Sequence, residues 1–154
     1  MKPKIFVLDV DGVLTNGQFL YDQNGKSHKI FGADDSDALK LLEPFVKIFF
    51  VTADKRGFPI SKKRVVDDMG YPLELVSSHD RINWIEKNFK LSETIYMGDG
   101  FFDNITMSRV GYSIAPSNSD PKAKDVANYV TFRQGGDRAV AEACMHLLEV
   151  FFKE

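Results

Sequence analysis

The sequence predicts an α/β fold, a parallel sheet with helices on both faces and an inserted β-hairpin, in one domain spanning residues 1–154. Three observations predict it. Short apolar runs recur at residues 5–8, 46–52, 94–97 and 112–115, as strands buried on both faces require. Stretches of helical periodicity separate them, and that alternation favours parallel pairing through crossover helices. Several of the runs also end in side chains capable of chemistry, where open α/β sheets bind their ligands.

The elements follow in order. Residues 4–8 read as the first strand, which drives into Asp9, Asp11 and Gly12. Residues 18–22 and 26–31 read as a hairpin, because Asn24-Gly25 lies between two strand-like runs. The insert covers about residues 17–32. A two-stranded ribbon is marginal in water, so Phe19, Tyr21, Ile30 and Phe31 must pack on the body of the domain or on another subunit. Asp34-Asp35-Ser36-Asp37 precedes an apolar helical segment and suits a helix start, although capping accounts for one or two aspartates and not three. Residues 46–52 form the next strand and end in Thr52. Pro59 opens a helix that runs to Met69, with Gly70 as its stop. A short strand at 73–76 leads to Ser77-Ser78-His79-Asp80, which starts a helix with Ile82, Ile85 and Phe89 on one face. Residues 94–97 form a strand that ends in Gly98-Asp99. A short helix at 102–109, a strand at 112–115, a helix opened by Pro121 and a strand at 129–131 complete the alternation. After Gly135-Gly136, the stripe Val140, Ala143, Cys144, Leu147, Leu148 and Phe151 marks a final core-facing helix.

Composition bounds the function. Hydrophobic content is 44%, charged content 27% and net charge −2 over 154 residues, values ordinary for a globular protein. Nothing in that balance points to nucleic acid or to an anionic membrane surface. The single cysteine, Cys144, excludes an intramolecular disulfide and fits a reducing, cytoplasmic setting. The N-terminal apolar run is too short for a signal peptide, and no run approaches membrane-spanning length.

Two aspartates one residue apart at a strand end are costly, because like charges crowd there and burial penalises both. A turn would explain Asp9-x-Asp11-Gly12 alone, but Asp99 and Asp103 supply distant partners that a turn does not need. With Thr52 at a further strand end and Arg81 at the start of the helix after another, the set suits Mg²⁺ and a phosphate. Carboxylates hold the hard cation, while the hydroxyl and guanidinium bind phosphoryl oxygens.

These residues resemble the motifs of the haloacid dehalogenase superfamily of phosphohydrolases, in order and over almost the whole chain: Asp9-Val10-Asp11-Gly12-Val13, Thr52, Arg81, and Gly98-Asp99 through Asp103. The resemblance implies a Rossmann-like core. It also implies Asp9 as nucleophile forming an aspartyl phosphate, Asp11 as acid and then base, and Thr52 and Arg81 as phosphoryl holders. Mg²⁺ would be held by Asp9, the Asp11 carbonyl and Asp99, with Asp103 in support. Only about forty residues separate Asp11 from Thr52, so no large cap domain fits between them and the chain resembles a capless member. DVDGVLTNG, the NG hairpin, GYSIAPSNSDPKAKDVANYVT and the GG before the last helix resemble the 3-deoxy-D-manno-octulosonate 8-phosphate phosphatase subfamily, which also includes phosphatases for nine-carbon 9-phosphates. That resemblance implies a homotetramer in which a neighbour's hairpin helps close each site, and a small phosphorylated sugar or keto-sugar acid as substrate.

The departures fall on substrate-facing positions. Asp34 to Asp37 replace a basic residue followed by Asp-Gly, with Asp35 as the one match. Thr52-Ala53-Asp54 stands where that subfamily has Thr-Gly-Arg, Arg81 where it usually has lysine, and Gly100 where an aspartate is common. Asp35, Arg133 and Arg138 are candidate substrate contacts. Lys55 and Arg56 are further candidates, and for all four basic residues solvated surface is the favoured reading. The alternative function is a metal-binding domain of the same fold with a binding or regulatory role and little turnover. His28, His79 and His146 lack metal-ligand spacing.

Overall fold

The computed structural model describes residues 1–153. Its centre is β1 (Ile5–Asp9), a strand buried along its whole length. β1 pairs in parallel with β4 (Lys47–Thr52) on one side and β6 (Thr94–Met97) on the other. β5 (Leu73–Leu75), β7 (Tyr112–Ala115) and β8 (Tyr129–Val130) extend the sheet in the order β5-β4-β1-β6-β7-β8, with every pairing parallel.

Alternation along β1 divides the core. Phe6 and Leu8 face a cluster that includes Leu39 and Leu42 of α1 (Asp35–Leu42) and Val140, Cys144 and Leu147 of α6 (Ala139–Phe151). Ile5 and Val7 face the opposite cluster, with Ile85 of α3 (Arg81–Asn88), Met107 of α4 (Asp103–Met107) and Ala123 of α5 (Pro121–Val126). Helices therefore cover both faces, as the apolar runs predict. The helix expected over 59–69 is α2 (Phe58–Lys62) continuing as a π-helical stretch, Lys63–Asp68. Gly70 ends it in the left-handed region at φ 82°. No described helix is long and apolar enough to cross a membrane.

The insert is a separate antiparallel pair, β2 (Thr15–Asp22) and β3 (Gly25–Phe31). Its turn sits one residue earlier than Asn24-Gly25. Asp22 pairs with Gly25, so Gln23 and Asn24 make the connection, and the Asp22 carboxylate accepts the Asn24 N–H at 2.7 Å. Phe31 packs against the main core. Phe19, Leu20, Tyr21 and Ile30 keep exposed surface on the chain.

Candidate active site

The carboxyl ends of β1, β4 and β6 meet in a cleft of about 410 Å³ lined by Asp9, Asp11, Phe19, Asp54, Arg81, Asp99 and Asp103, among others. Strand β1 delivers Asp9 rigidly, and the chain then turns back tightly, with the N–H groups of Val13, Leu14 and Thr15 all donating to the Val10 carbonyl. Gly12 makes that turn at φ 84°. A Cβ there would lie 1.8 Å from Asp99 Oδ2, so the glycine allows the β6 loop to approach β1. Gly135 is wedged behind it, since its Cβ would lie 2.0 Å from the Gly12 carbonyl oxygen. The GG segment before α6 thus braces the turn that presents the aspartates.

Arg81 ties the floor together. Its guanidinium is buried, at 2% exposure, and donates to Asp9 Oδ1 at 3.2 Å, Asp103 Oδ1 at 3.1 Å and the Tyr96 hydroxyl at 2.8 Å. Tyr96 in turn donates to Asp103. The other Asp103 oxygen accepts the N–H groups of Asp99 and Gly100 at 3.1 and 2.8 Å. Asp103 therefore spends its acceptors on shaping the loop that carries Asp99, a supporting role.

Oxygens of Asp9, Asp99 and Asp103 lie within 4.8 Å of one another. Burial pushes the Asp9 carboxyl up to about 6 even against the Arg81 charge. Burial, reinforced by Asp9 and Asp103, pushes Asp99 up to about 9. Arg81 stays charged despite its burial, because Asp9, Tyr96 and Asp103 surround it. One guanidinium does not neutralise three crowded carboxylates, and an all-oxygen set short of positive charge fits a hard divalent cation.

The Asp11 carboxylate points away from that trio. It meets Lys29 Nζ at 2.8 Å and the Thr52 hydroxyl at 3.4 Å. Thr52 is fully buried beneath the cleft, and its oxygen also accepts the Asp54 N–H at 3.1 Å. Asp54, where the resemblance expects arginine, is held by two hairpin lysines of the same chain, Lys26 at 2.8 Å and Lys29 at 2.9 Å. Burial pushes the Asp54 carboxyl up, but the two lysines and the Gly57 N–H outweigh it and draw it down to about 2.

The structure thus brings Asp9, Asp11, Thr52, Arg81, Asp99 and Asp103 together. It does not bring Asp35, Arg133 or Arg138 into this cleft. Asp35 is buried between α1 and α6, where its carboxylate accepts the Ala141 N–H at 2.9 Å. It caps α6 because that helix otherwise begins with orphan donors. Arg138 is exposed and pairs with Asp34, both residues in the left-handed region. Arg133 is exposed, and its backbone N–H bonds Glu142. Lys55 and Arg56 are exposed, as expected. His79 stacks on Phe102 at the rim, with ring centroids 4.2 Å apart.

Three residues of the site escape the motif reading: Lys26, Lys29 and Tyr96. Each left a trace in the sequence. A tyrosine inside a fully buried strand needs a polar partner for its hydroxyl. Lys29 sits on the inward side of a ribbon whose neighbour Ile30 faces out, an inversion that marks a lysine with a buried partner.

Residues 83–143 match the haloacid dehalogenase-like hydrolase family. The chain is 30% identical over 155 residues to the 3-deoxy-D-manno-octulosonate 8-phosphate phosphatase of Salmonella typhi, covering 94% of this chain and 79% of that one. It is 28% identical to the enzyme of the same name from Haemophilus influenzae, over 95% of this chain and 83% of the other. The cobalt-bound structure of the deoxy-D-mannose-octulosonate 8-phosphate phosphatase from Haemophilus influenzae superposes with a TM-score of 0.84 at 26% identity, covering 96% of this chain and 88% of that one. With the aspartate cluster in place on the same fold and this similarity running nearly end to end, the chain belongs to the haloacid dehalogenase-like phosphatases.

Proposed function

We propose that this chain is a Mg²⁺-dependent phosphomonoesterase that hydrolyses a small phosphorylated sugar or keto-sugar acid, such as 3-deoxy-D-manno-octulosonate 8-phosphate or a nonulosonate 9-phosphate. The observation that carries the reading is the Asp9, Asp99 and Asp103 cluster, in which Arg81 bridges Asp9 and Asp103, with Asp11 nearby on a separate set of partners. The names of the relatives supply the substrate class.

In this reading the Asp9 carboxylate attacks phosphorus, and the bond to the leaving alcohol oxygen breaks as an aspartyl phosphate forms. Asp11 gives its proton to that departing oxygen. It then takes a proton from the water that attacks the aspartyl phosphate, which frees inorganic phosphate and restores Asp9. Arg81 orients Asp9 and, with the Thr52 hydroxyl, binds phosphoryl oxygens. Mg²⁺ would be held by Asp9, Asp99 and the Asp11 carbonyl, backed by Asp103, and would supply positive charge to the transferring phosphoryl group.

Residues 1–154 act as one domain, cytoplasmic and without nucleic-acid or membrane partners. The exposed Leu20, Tyr21 and Ile30 on the hairpin support a homotetramer in which each hairpin helps close a neighbouring site. Sedimentation at micromolar protein is expected to give a tetramer, and a monomer contradicts it. Phosphate release from a panel of neutral and acidic sugar phosphates, with Mg²⁺ and with chelator, tests the activity. Asp54 makes both kinds necessary, because it places a carboxylate where the resemblance expects a cation. Metal-dependent turnover of at least one of them is expected, and none across the panel favours the regulatory alternative.

A further inference from the structure

Lys29 is a cation that the four aspartates, Thr52 and Arg81 leave unexplained. Its side chain is fully buried, and Nζ lies 2.8 Å from Asp11 Oδ1, 2.9 Å from Asp54 Oδ2 and 2.8 Å from Ser61 Oγ. An ammonium has three protons to donate; here Ser61 Oγ accepts one, and the two carboxylates stand beside the charge as ion-pair partners. Such a group is too costly to bury for packing alone. Asp54 is itself clamped by Lys26 at 2.8 Å and by the Gly57 N–H at 3.0 Å. Lys26 lies over the Phe19 ring, 3.5 Å from its centroid. The hairpin therefore reaches the site of its own chain through a fixed chain of contacts: Phe19, Lys26, Asp54, Lys29, Asp11.

Asp11 needs such an anchor. Its carboxylate carries the same charge as the nearby Asp9, and besides Lys29 it has, among the described residues, the Thr52 hydroxyl at 3.4 Å as a side-chain hydrogen-bond partner. Proton transfer requires an acid within about 2.6–3.2 Å of the departing oxygen, and a displacement of about 1 Å can cost on the order of 100-fold in rate. We infer that Lys29, held from behind by Asp54, is the positioning residue that fixes the Asp11 carboxylate for its proton transfers. This rests on the reading of Asp11 as the acid and base.

Leaving-group dependence tests it. p-Nitrophenolate departs without a proton, whereas a sugar alkoxide needs one, and kcat/KM reports the steps up to that departure. Lys29→Met is expected to lower kcat/KM for an alkyl sugar phosphate by on the order of 30-fold or more, and for p-nitrophenyl phosphate by less than about threefold. Lys29→Arg, which keeps the charge, recovers part of the alkyl-phosphate loss. Asp54→Asn leaves both lysines in place and shows the same selectivity at smaller size, so it carries the test if Lys29→Met folds poorly by circular dichroism. Equal losses on both substrates, or none on either, overturn the proposal. Asp11→Asn separates it from the reading beneath: if Asp11→Asn lacks the leaving-group selectivity, the acid assignment fails. If Asp11→Asn shows the selectivity and the Lys29 and Asp54 variants do not, the positioning role alone fails.

Discussion

Arg81→Met is the most demanding single perturbation of the site. The guanidinium is 2% exposed and lies 3.2 Å from Asp9 and 3.1 Å from Asp103. At an effective dielectric of about 20, each contact is worth roughly 5 kcal/mol before desolvation is subtracted. Removing one side of a buried pair costs about 3–5 kcal/mol net, because the remaining charges stay buried without a partner. In a chain of this size each kcal/mol moves the thermal midpoint by about 2–4 °C, so Arg81→Met is expected to lower the metal-free Tm at pH 8 by about 10 °C. The loss has a pH signature. Asp9, pushed up to about 6 by burial, takes up a proton as pH falls through that value, and a neutral Asp9 has less need of Arg81. The difference between the two proteins therefore narrows at pH 5. Added Mg²⁺ narrows it too, by supplying charge to the same carboxylates. Differential scanning calorimetry at pH 8 and pH 5, with and without Mg²⁺, reads all of this. A metal-free midpoint within about 2 °C of wild type at pH 8 would falsify the claim that Arg81 carries the charge balance of the floor.

Other perturbations separate the parts. Burial pushes Asp35 up from 3.8 to about 6, so the fold binds its proton more tightly than the unfolded chain does. Its contribution is full below about pH 4 and is lost as pH rises through 6, a swing of about 3 kcal/mol. Asp35→Asn, whose amide oxygen can still accept from Ala141, should flatten that slope in urea melts between pH 4 and 8; an unchanged slope refutes the assignment. Gly12→Ala puts a methyl 1.8 Å from Asp99 Oδ2 at φ 84°. Left-handed strain of about 1–2 kcal/mol and a displaced Asp99 should weaken divalent binding by calorimetry, and an unaltered Kd rejects it. Chelator should abolish phosphate release and Mg²⁺ should restore it, whereas turnover that survives exhaustive chelation counts against the metal.

What the sequence made legible follows from where the chemistry lies. Asp9, Asp11, Thr52 and Asp99 sit at or just beyond the ends of apolar strands, and parallel pairing alone brings those ends together. Their convergence could be read without knowing a single side-chain contact. Lys29 was harder, because its partners Asp11 and Asp54 meet it only once the hairpin folds back over the sheet. Asp54 looked like a lost cation when read in line. In space it is half of an ion-pair cluster whose positive half lies on another element. Asp35 is hidden for a related reason: an acidic run before a helix does not reveal that one of its carboxylates caps a different helix, α6, far along the chain. The turn at Gln23-Asn24 and the π-helical Lys63–Asp68 stretch are local adjustments of backbone that periodicity does not resolve.

The central claim is that Asp9 carries the phosphoryl group. The most direct measurement is acid quench during turnover of a sugar phosphate with Mg²⁺, followed by borohydride reduction, which converts an aspartyl phosphate to homoserine. Peptide mass spectrometry is predicted to find homoserine at position 9 in the wild-type protein, and to find none in Asp9→Asn, which releases no phosphate. Phosphate release by Asp9→Asn at the wild-type rate, with no homoserine at position 9 in either protein, would contradict the account.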